Sequence, residues 1–437
     1  MNRQRRVSSL QAGSFGLLLA FELLCQAQPA VNQDESKVPT YSLPDPLVCI
    51  DGSRVTTASQ WQKKRRPELL RIYEEQVYGH APGKPRGMKF ETTSIVTNAF
   101  NGLATRKEIT IWFTGKKDSP SMDLLVYTPN AERKPAPAFL GLSFGGNHAV
   151  TPERDVKLST RWIRQSKGSC VTNNRPTEAC RGSEATRWQI EKVLRRGYAV
   201  ATAFYGDLEA DFPEGWKLGT QESIRAALNP AGTNAVFQPN EWGAIGAWAW
   251  GLSRALDYLE TDRAVDAKRV AVLGHSRLGK TSLWAGAQDK RFAIVISNNS
   301  GEGGAAIARR RFGERTYHLN KNFPHWFCGN FKKYSERENE LPVDAHELIA
   351  LIAPRPVYVA SATEDLWADP LGEFLAAKNA EPVYGLFGKA GLGVEQRPAA
   401  DHPVGKFIGY HLRTGAHDVM EYDWDQYLNF ADQHFKH

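Results

Sequence analysis

A chain of 437 residues, 41% hydrophobic and 24% charged, can bury a large core, and this ordinary balance excludes a disordered or fibrous protein. The net charge of +7 arises from basic residues spread along the chain, not gathered into a stripe of the kind that grips nucleic acid, so no nucleic-acid partner is expected. The 37 Gly and 24 Pro suit a loop-rich α/β protein better than a helical bundle.

At the N-terminus, Arg3, Arg5 and Arg6 precede an apolar run from Phe15 to Leu24, interrupted by Glu22, and Cys25 and Ala27 offer a cleavage site before Gln28. The pattern predicts a signal peptide over residues 1–27 and a secreted or periplasmic protein. Because the run is shorter than the ~20 residues of a membrane span, no stable membrane insertion is expected after its removal. The adjacent Arg5-Arg6 also fits twin-arginine export, while a lipid-modified Cys25 fits less well, since Leu24 stands where a small residue is usual. Loss of the leader leaves a net charge of +5, compatible with anionic wall material or with solubility alone.

Residues 28–45 are polar and Pro-rich and read as a linker, which leaves 46–437 as one catalytic domain. Four cysteines follow the leader, and in an oxidising compartment Cys170 and Cys180, bracketing a polar loop, are the favoured pair. No C-x-x-C or H-E-x-x-H spacing points to zinc.

Apolar runs of strand length then alternate with helical stretches. Strands are predicted at Leu124–Tyr127, Ala138–Ser143, Tyr198–Ala203, Arg269–Leu273, Phe292–Ser297, Val357–Ser361 and Phe407–Leu412. A long helix is predicted over Glu241–Glu260, with Trp242, Ile245, Trp248, Trp250, Leu252, Leu256 and Leu259 mostly facing inward. Such alternation implies a mostly parallel sheet with helices on both faces.

The chemistry concentrates at Gly274-His275-Ser276-Arg277-Leu278-Gly279-Lys280-Thr281. A strand enters and a helix leaves, the setting of a nucleophile elbow that lifts Ser276 above the sheet. The helix N-terminus then aims N–H groups and a positive dipole at any oxyanion formed there. The second glycine comes three residues after the serine instead of two. The same residues satisfy G-x-x-x-x-G-K-[ST], the phosphate-binding P-loop. Export away from cytosolic ATP, several preceding strands, and an acid and histidine downstream favour the nucleophile-elbow reading.

With Arg277 and Lys280 included, the motif resembles the G-x-S-R-x-G-K signature of glucuronoyl esterases, carbohydrate esterase family 15. S-N-N-S-G-E-G-G-A-A at 297–306, H-W-F-C at 325–328, E-D-L-W-A-D-P-L-G-E-F at 364–374 and H-D-V-M-E-Y-D-W at 417–424 resemble the same family in the same order. The resemblance implies an α/β-hydrolase fold, a three-layer sandwich about a mostly parallel sheet. It implies hydrolysis of the ester between (4-O-methyl)glucuronic acid of glucuronoxylan and lignin alcohols, without metal or organic cofactor. Glucuronoxylan and lignin–carbohydrate esters are thus the expected partners, and a monomer the expected state. Another carbohydrate esterase, such as an acetyl xylan esterase, is the alternative on this fold, and a non-catalytic wall-binding protein is a further one.

Under that resemblance Ser276 is the nucleophile, His417 its base and Arg277 the cation facing the oxyanion, with Lys280, Glu314 and Trp367 on the sugar. His417 lies in a loop after the last strand and before the final helix; His402 is the reserve, whereas His411 and His275 read as packed side chains. The acid is expected at Asp365, after the strand Val357–Ser361, so that Ser276, Asp365 and His417 follow the usual chain order. Some family members draw the acid from the position of Asn299, which carries no charge here. Glu302 is expected at the pocket rim. Glu364 should point away from Asp365, and Asp369, before Pro370, suits a helix N-terminus.

Overall fold

The computed structural model describes residues 30–436 except 118, 132–134 and 220–237; the signal peptide expected over 1–27 lies outside the described residues. Twelve strands are described in chain order: β1 (Lys89–Asn98), β2 (Ala104–Trp112), β3 (Ser121–Pro129), β4 (Ala136–Ser143), β5 (Val171–Thr172), β6 (Arg175–Pro176), β7 (Ala199–Phe204), β8 (Val265–His275), β9 (Ile294–Asn298), β10 (Val357–Ala362), β11 (Val404–Gly405) and β12 (Ile408–Arg413). Ten form one sheet in the order β1-β2-β3-β7-β4-β8-β9-β10-β12-β11, and β5 and β6 form a separate small hairpin.

From β7 through β12 the pairs are parallel, so their C-terminal ends share one rim. The strands β1 to β3 extend the sheet antiparallel at one edge. Helices cover both faces in an α/β-hydrolase architecture, which divides the apolar core into two layers. Leu124, Val126, Leu140 and Val272 belong to one, and Leu125, Tyr127, Phe139 and Ala271 to the other. Alternate residues of a strand point to opposite faces, so each of these strands must be apolar on both. That double burial is what made them legible as continuous apolar runs.

The seven predicted strands are all present, with ends shifted by a few residues. The predicted helix spans Ala244–Leu259 and is buried along its whole length. Nothing in the sequence pattern marked β1, because Lys89–Asn98 is largely solvent-facing and carries no apolar alternation.

The segment read as a linker is tied down from Asn32 onward. The Asn32 carbonyl accepts from the Gly313 N–H (2.7 Å), Glu35 pairs with Arg310 (2.8 Å), and the Pro44 carbonyl lies 2.9 Å from His346 Nε2. Polar composition reads alike whether polar groups meet water or fixed partners. The expected pair Cys170 and Cys180 is disulfide-bonded, and Cys49 and Cys328 are free and buried.

Candidate active site

The parallel rim gathers the site. β8 ends at His275, Ser276 follows with φ 57° and ψ −128°, and the helix Arg277–Gln288 begins at once. A positive φ on a non-glycine residue is strained backbone of the kind concentrated at functional turns. The turn is closed by the Ser276 N–H donating to the Asn298 carbonyl on neighbouring β9 (2.9 Å). A Cβ at Gly274 would stand 1.9 Å from the Leu278 carbonyl oxygen, so only glycine admits the tight return of the helix. The displaced second glycine has a reason too: a Cβ at Gly279 would lie 3.0 Å from Ser300 Cβ, in the loop after β9, and 3.1 Å from the Asn298 carbonyl at the end of that strand.

His417, in the loop after β12, places its ring centroid 4.4 Å from that of His275, the residue before Ser276. Its Nδ1 is 2.6 Å from Asp365 Oδ2, and Asn299 Nδ2 donates to the same carboxylate oxygen at 2.7 Å. The histidine side chain is 41% exposed and the aspartate 4%, a reachable imidazole backed by a buried carboxylate. Burial works to raise the Asp365 carboxyl, but the hydrogen bond and charge of His417, with Asn299, outweigh it and leave it below the usual value. His275 is held far below the ordinary imidazole value by burial and by the neighbouring charge of His417, and its Nδ1 sits 2.6 Å from Asn298 Oδ1. It is a neutral packed side chain.

The structure separates the other carboxylates. Glu364 is exposed, whereas the adjacent Asp365 is buried. Asp369 caps the helix Pro370–Asn379 by accepting from the Gly372 N–H. Glu302, expected at the rim, is instead buried and bonded to the Thr316 hydroxyl. Of the histidines, His411 is buried in β12 against Asp423, and exposed His402 lies against its own loop at the Ala400 carbonyl.

Two cations leave the elbow on the first turn of the helix. Arg277 pairs with Asp211 and lies over the Trp326 ring (4.9 Å) and within 5.8 Å of Phe323, whose ring stacks on Trp326 at 3.8 Å. Asp211 also accepts from Trp326 Nε1 (2.7 Å) and lies 2.9 Å from His325 Nε2. Burial would raise the Asp211 carboxyl, but the bond with His325, the charge of Arg277 and the Trp326 indole overcome it and hold it well below the usual carboxylate range. Lys280 is buried, with Nζ 2.5 Å from the Ser300 carbonyl and 3.0 Å from Glu314 Oε2. Glu314 Oε1 in turn accepts from Trp367 Nε1 at 3.2 Å. Lys280, Glu314 and Trp367, from three separate segments, thus form one bonded row ending at the 37% exposed Trp367 ring.

Sequence reasoning missed Asp211 entirely. A lone aspartate in a loop carries no local signal, and its partner Arg277 lies 66 residues away. The segment His325-Trp326 was visible only as part of a resemblance.

The sequence model of the family described as "Glucuronyl esterase, fungi" matches residues 233–388. A carbohydrate esterase from an unknown prokaryotic organism is 50% identical over 409 residues, covering 93% of each chain. Among solved structures, the glucuronoyl esterase from Solibacter usitatus is 52% identical with a TM-score of 0.86, covering 92% of this chain and 100% of that one. A structure described as a promiscuous CE15 esterase from the marine bacterial metagenome is 48% identical, also with a TM-score of 0.86, covering 93% of this chain and 100% of its own.

Proposed function

The chain belongs to carbohydrate esterase family 15, the glucuronoyl esterases, and from that premise we propose that it is an exported serine hydrolase of esters between (4-O-methyl)glucuronic acid of glucuronoxylan and lignin alcohols. The observation that carries this reading is the convergence at one sheet rim of a serine elbow, the His417–Asp365 pair and the cations Arg277 and Lys280.

In the proposed reaction Ser276 Oγ attacks the uronoyl carbonyl while His417 Nε2 takes its proton, and Asp365 holds the other ring nitrogen as its donor. The carbonyl oxygen becomes an oxyanion beside the helix N-terminus, where backbone N–H groups and the Arg277 guanidinium stabilise it. Collapse breaks the C–O bond to the alcohol, which leaves with the proton from His417. Water, deprotonated by His417, then attacks the acyl-serine, releasing glucuronate and restoring Ser276. Lys280, Glu314 and Trp367 supply a cation, an acceptor and a flat ring for the hydroxyls and face of the sugar.

A simple acetyl ester would leave the sugar-binding row without a uronate to hold, which favours a glucuronate over an acetate as the acyl group. Turnover of benzyl glucuronate, run beside release of acetate from acetylated xylan, tests the reading. Hydrolysis of the glucuronate ester should vanish in a folded Ser276→Ala protein. Undiminished turnover in that variant overturns the mechanism, and preferential acetate release by the native enzyme overturns the substrate.

A further inference from the structure

We propose that a cleft on the open face of β1–β3 binds the neutral polysaccharide backbone that carries the scissile uronoyl ester; this rests on the function proposed above and adds to it a second, remote subsite. The cleft has a volume of about 360 Å³, within the range of roughly 300–1,000 Å³ typical of small-molecule sites. Its floor is formed by side chains that alternate away from the core, Thr93 on β1, Thr110 and Trp112 on β2 and Asp123 on β3.

Charge decides the class of ligand. Lys157 Nζ lies 2.7 Å from Asp123, and Arg161 Nε 3.5 Å from Asp207, so each cation on the wall faces a carboxylate of its own. The Thr110 hydroxyl donates to Asp123 at 2.7 Å, and Trp112 Nε1 donates to Glu91 at 2.9 Å. Balanced ion pairs, hydroxyls and one partly exposed indole form a poor anion site. They match a hydroxyl-rich, uncharged, flat-ringed ligand, as a linear pentopyranose chain is.

Position decides that the ligand is the substrate's own backbone. Leu124 of β3 stands opposite Ala203 of β7 in an antiparallel pair, so Asp123 lies toward the C-terminal end of β7, the same rim that delivers Ser276. From β2 to β8 is four strand spacings in the sheet order, roughly 19 Å at about 4.8 Å each. A single uronate cannot span that gap, whereas several linked rings can. Two segments bridge it continuously. Arg161 and Asp207 wall the cleft, Trp162 packs on Phe212 at 4.6 Å, and Arg164 donates to the Asp211 carbonyl at 2.8 Å. Asp211 is the residue that holds Arg277. The path from cleft to elbow is therefore lined by partly exposed rings and polar groups, the surface a sugar chain follows.

The experiment compares the wild type with Trp112→Ala, and with Thr160→Arg, which fills the cleft from an exposed wall position, on two substrates. Benzyl glucuronate engages only the elbow region, and methyl-esterified glucuronoxylan extends beyond it. Both variants should raise KM on the polymer by about fivefold, the loss expected for one aromatic contact, and leave the small ester at wild-type rates. In parallel, NMR titration of the wild type with xylohexaose should shift resonances of Thr93, Thr110 and Trp112. Unchanged polymer KM in both variants, equal effects on both substrates, or xylohexaose shifts confined to the elbow would each overturn the proposal. Absence of turnover on benzyl glucuronate by the wild type would instead overturn the function above, with the titration still reporting on the cleft.

Discussion

Arg277 and Lys280 sit three residues apart on one helix turn, yet they meet different partners, and different roles are expected of them. Arg277 keeps a 25% exposed side chain and is aimed by a buried, ionised Asp211 across the Trp326 face. Such a preorganised cation acts where charge develops, so Arg277→Ala should lower kcat by ~10²–10³-fold with a smaller change in KM. Lys280 is buried in the row with Glu314 and Trp367. Its replacement by alanine should act chiefly through KM, as a ground-state sugar contact would, and should also lower thermal stability because Glu314 is left without its cation. Steady-state kinetics on benzyl glucuronate separate the two, and exchanged phenotypes would reverse the assignment. For the acid, the comparison is Asp365→Asn, Glu364→Gln and Glu302→Gln on the same ester, each checked for folding. Only Asp365→Asn should fall by orders of magnitude, since only that carboxylate lies against His417. Asn299, at the position from which some relatives' acid is expected, donates to the same Asp365 oxygen and, as a neutral amide, carries no charge of its own. A collapse in Glu302→Gln instead would place the acid in the loop after β9.

The helix Pro370–Asn379 holds that same loop through one side chain. Glu373 accepts from the Ser300 N–H (2.8 Å), the Gly301 N–H (3.0 Å) and the Ser361 hydroxyl at the end of β10 (2.6 Å). The Ser300 carbonyl in turn receives Lys280. Burial pushes the Glu373 carboxyl up to about 8 because its hydrogen-bond donors are neutral and only partly replace water. A carboxyl whose folded value is raised keeps a proton that the unfolded chain has lost. Its contribution to stability is whole below the ordinary value of 4.5 and is lost as the pH climbs through about 8. Glu373→Gln mimics the protonated form. The fall in Tm between pH 6 and pH 9, followed by calorimetry, should therefore be smaller in the variant than in the wild type. An identical fall in both proteins would show that this group does not titrate in that window.

At the scale of the molecule, the N-terminal and C-terminal halves share one frame. The buried guanidinium of Arg65 pairs with Glu347 at 2.9 Å, and that of Arg66 donates to the carbonyls of Leu351 and Ala287, the latter near the end of the helix that starts at the elbow. How much of this was legible follows from where each signal resides. The strands of the parallel region lie between two apolar layers, so their residues alone betray them. The nucleophile turn requires glycine at Gly274 for a local steric reason, and Asp365 and His417 follow predicted strands whose ends share a rim. These are short-range facts, written in consecutive residues. The polar strand β1, the anchoring of residues 32–45 and the grip of Asp211 on Arg277 left no such mark. The sequence by itself therefore determined which segments form the parallel strands and which serine, histidine and aspartate their rim could gather. Only the tertiary structure decided which buried carboxylates meet a cation and which are left to their hydrogen bonds, because the energy of a buried charge depends on neighbours tens or hundreds of residues away.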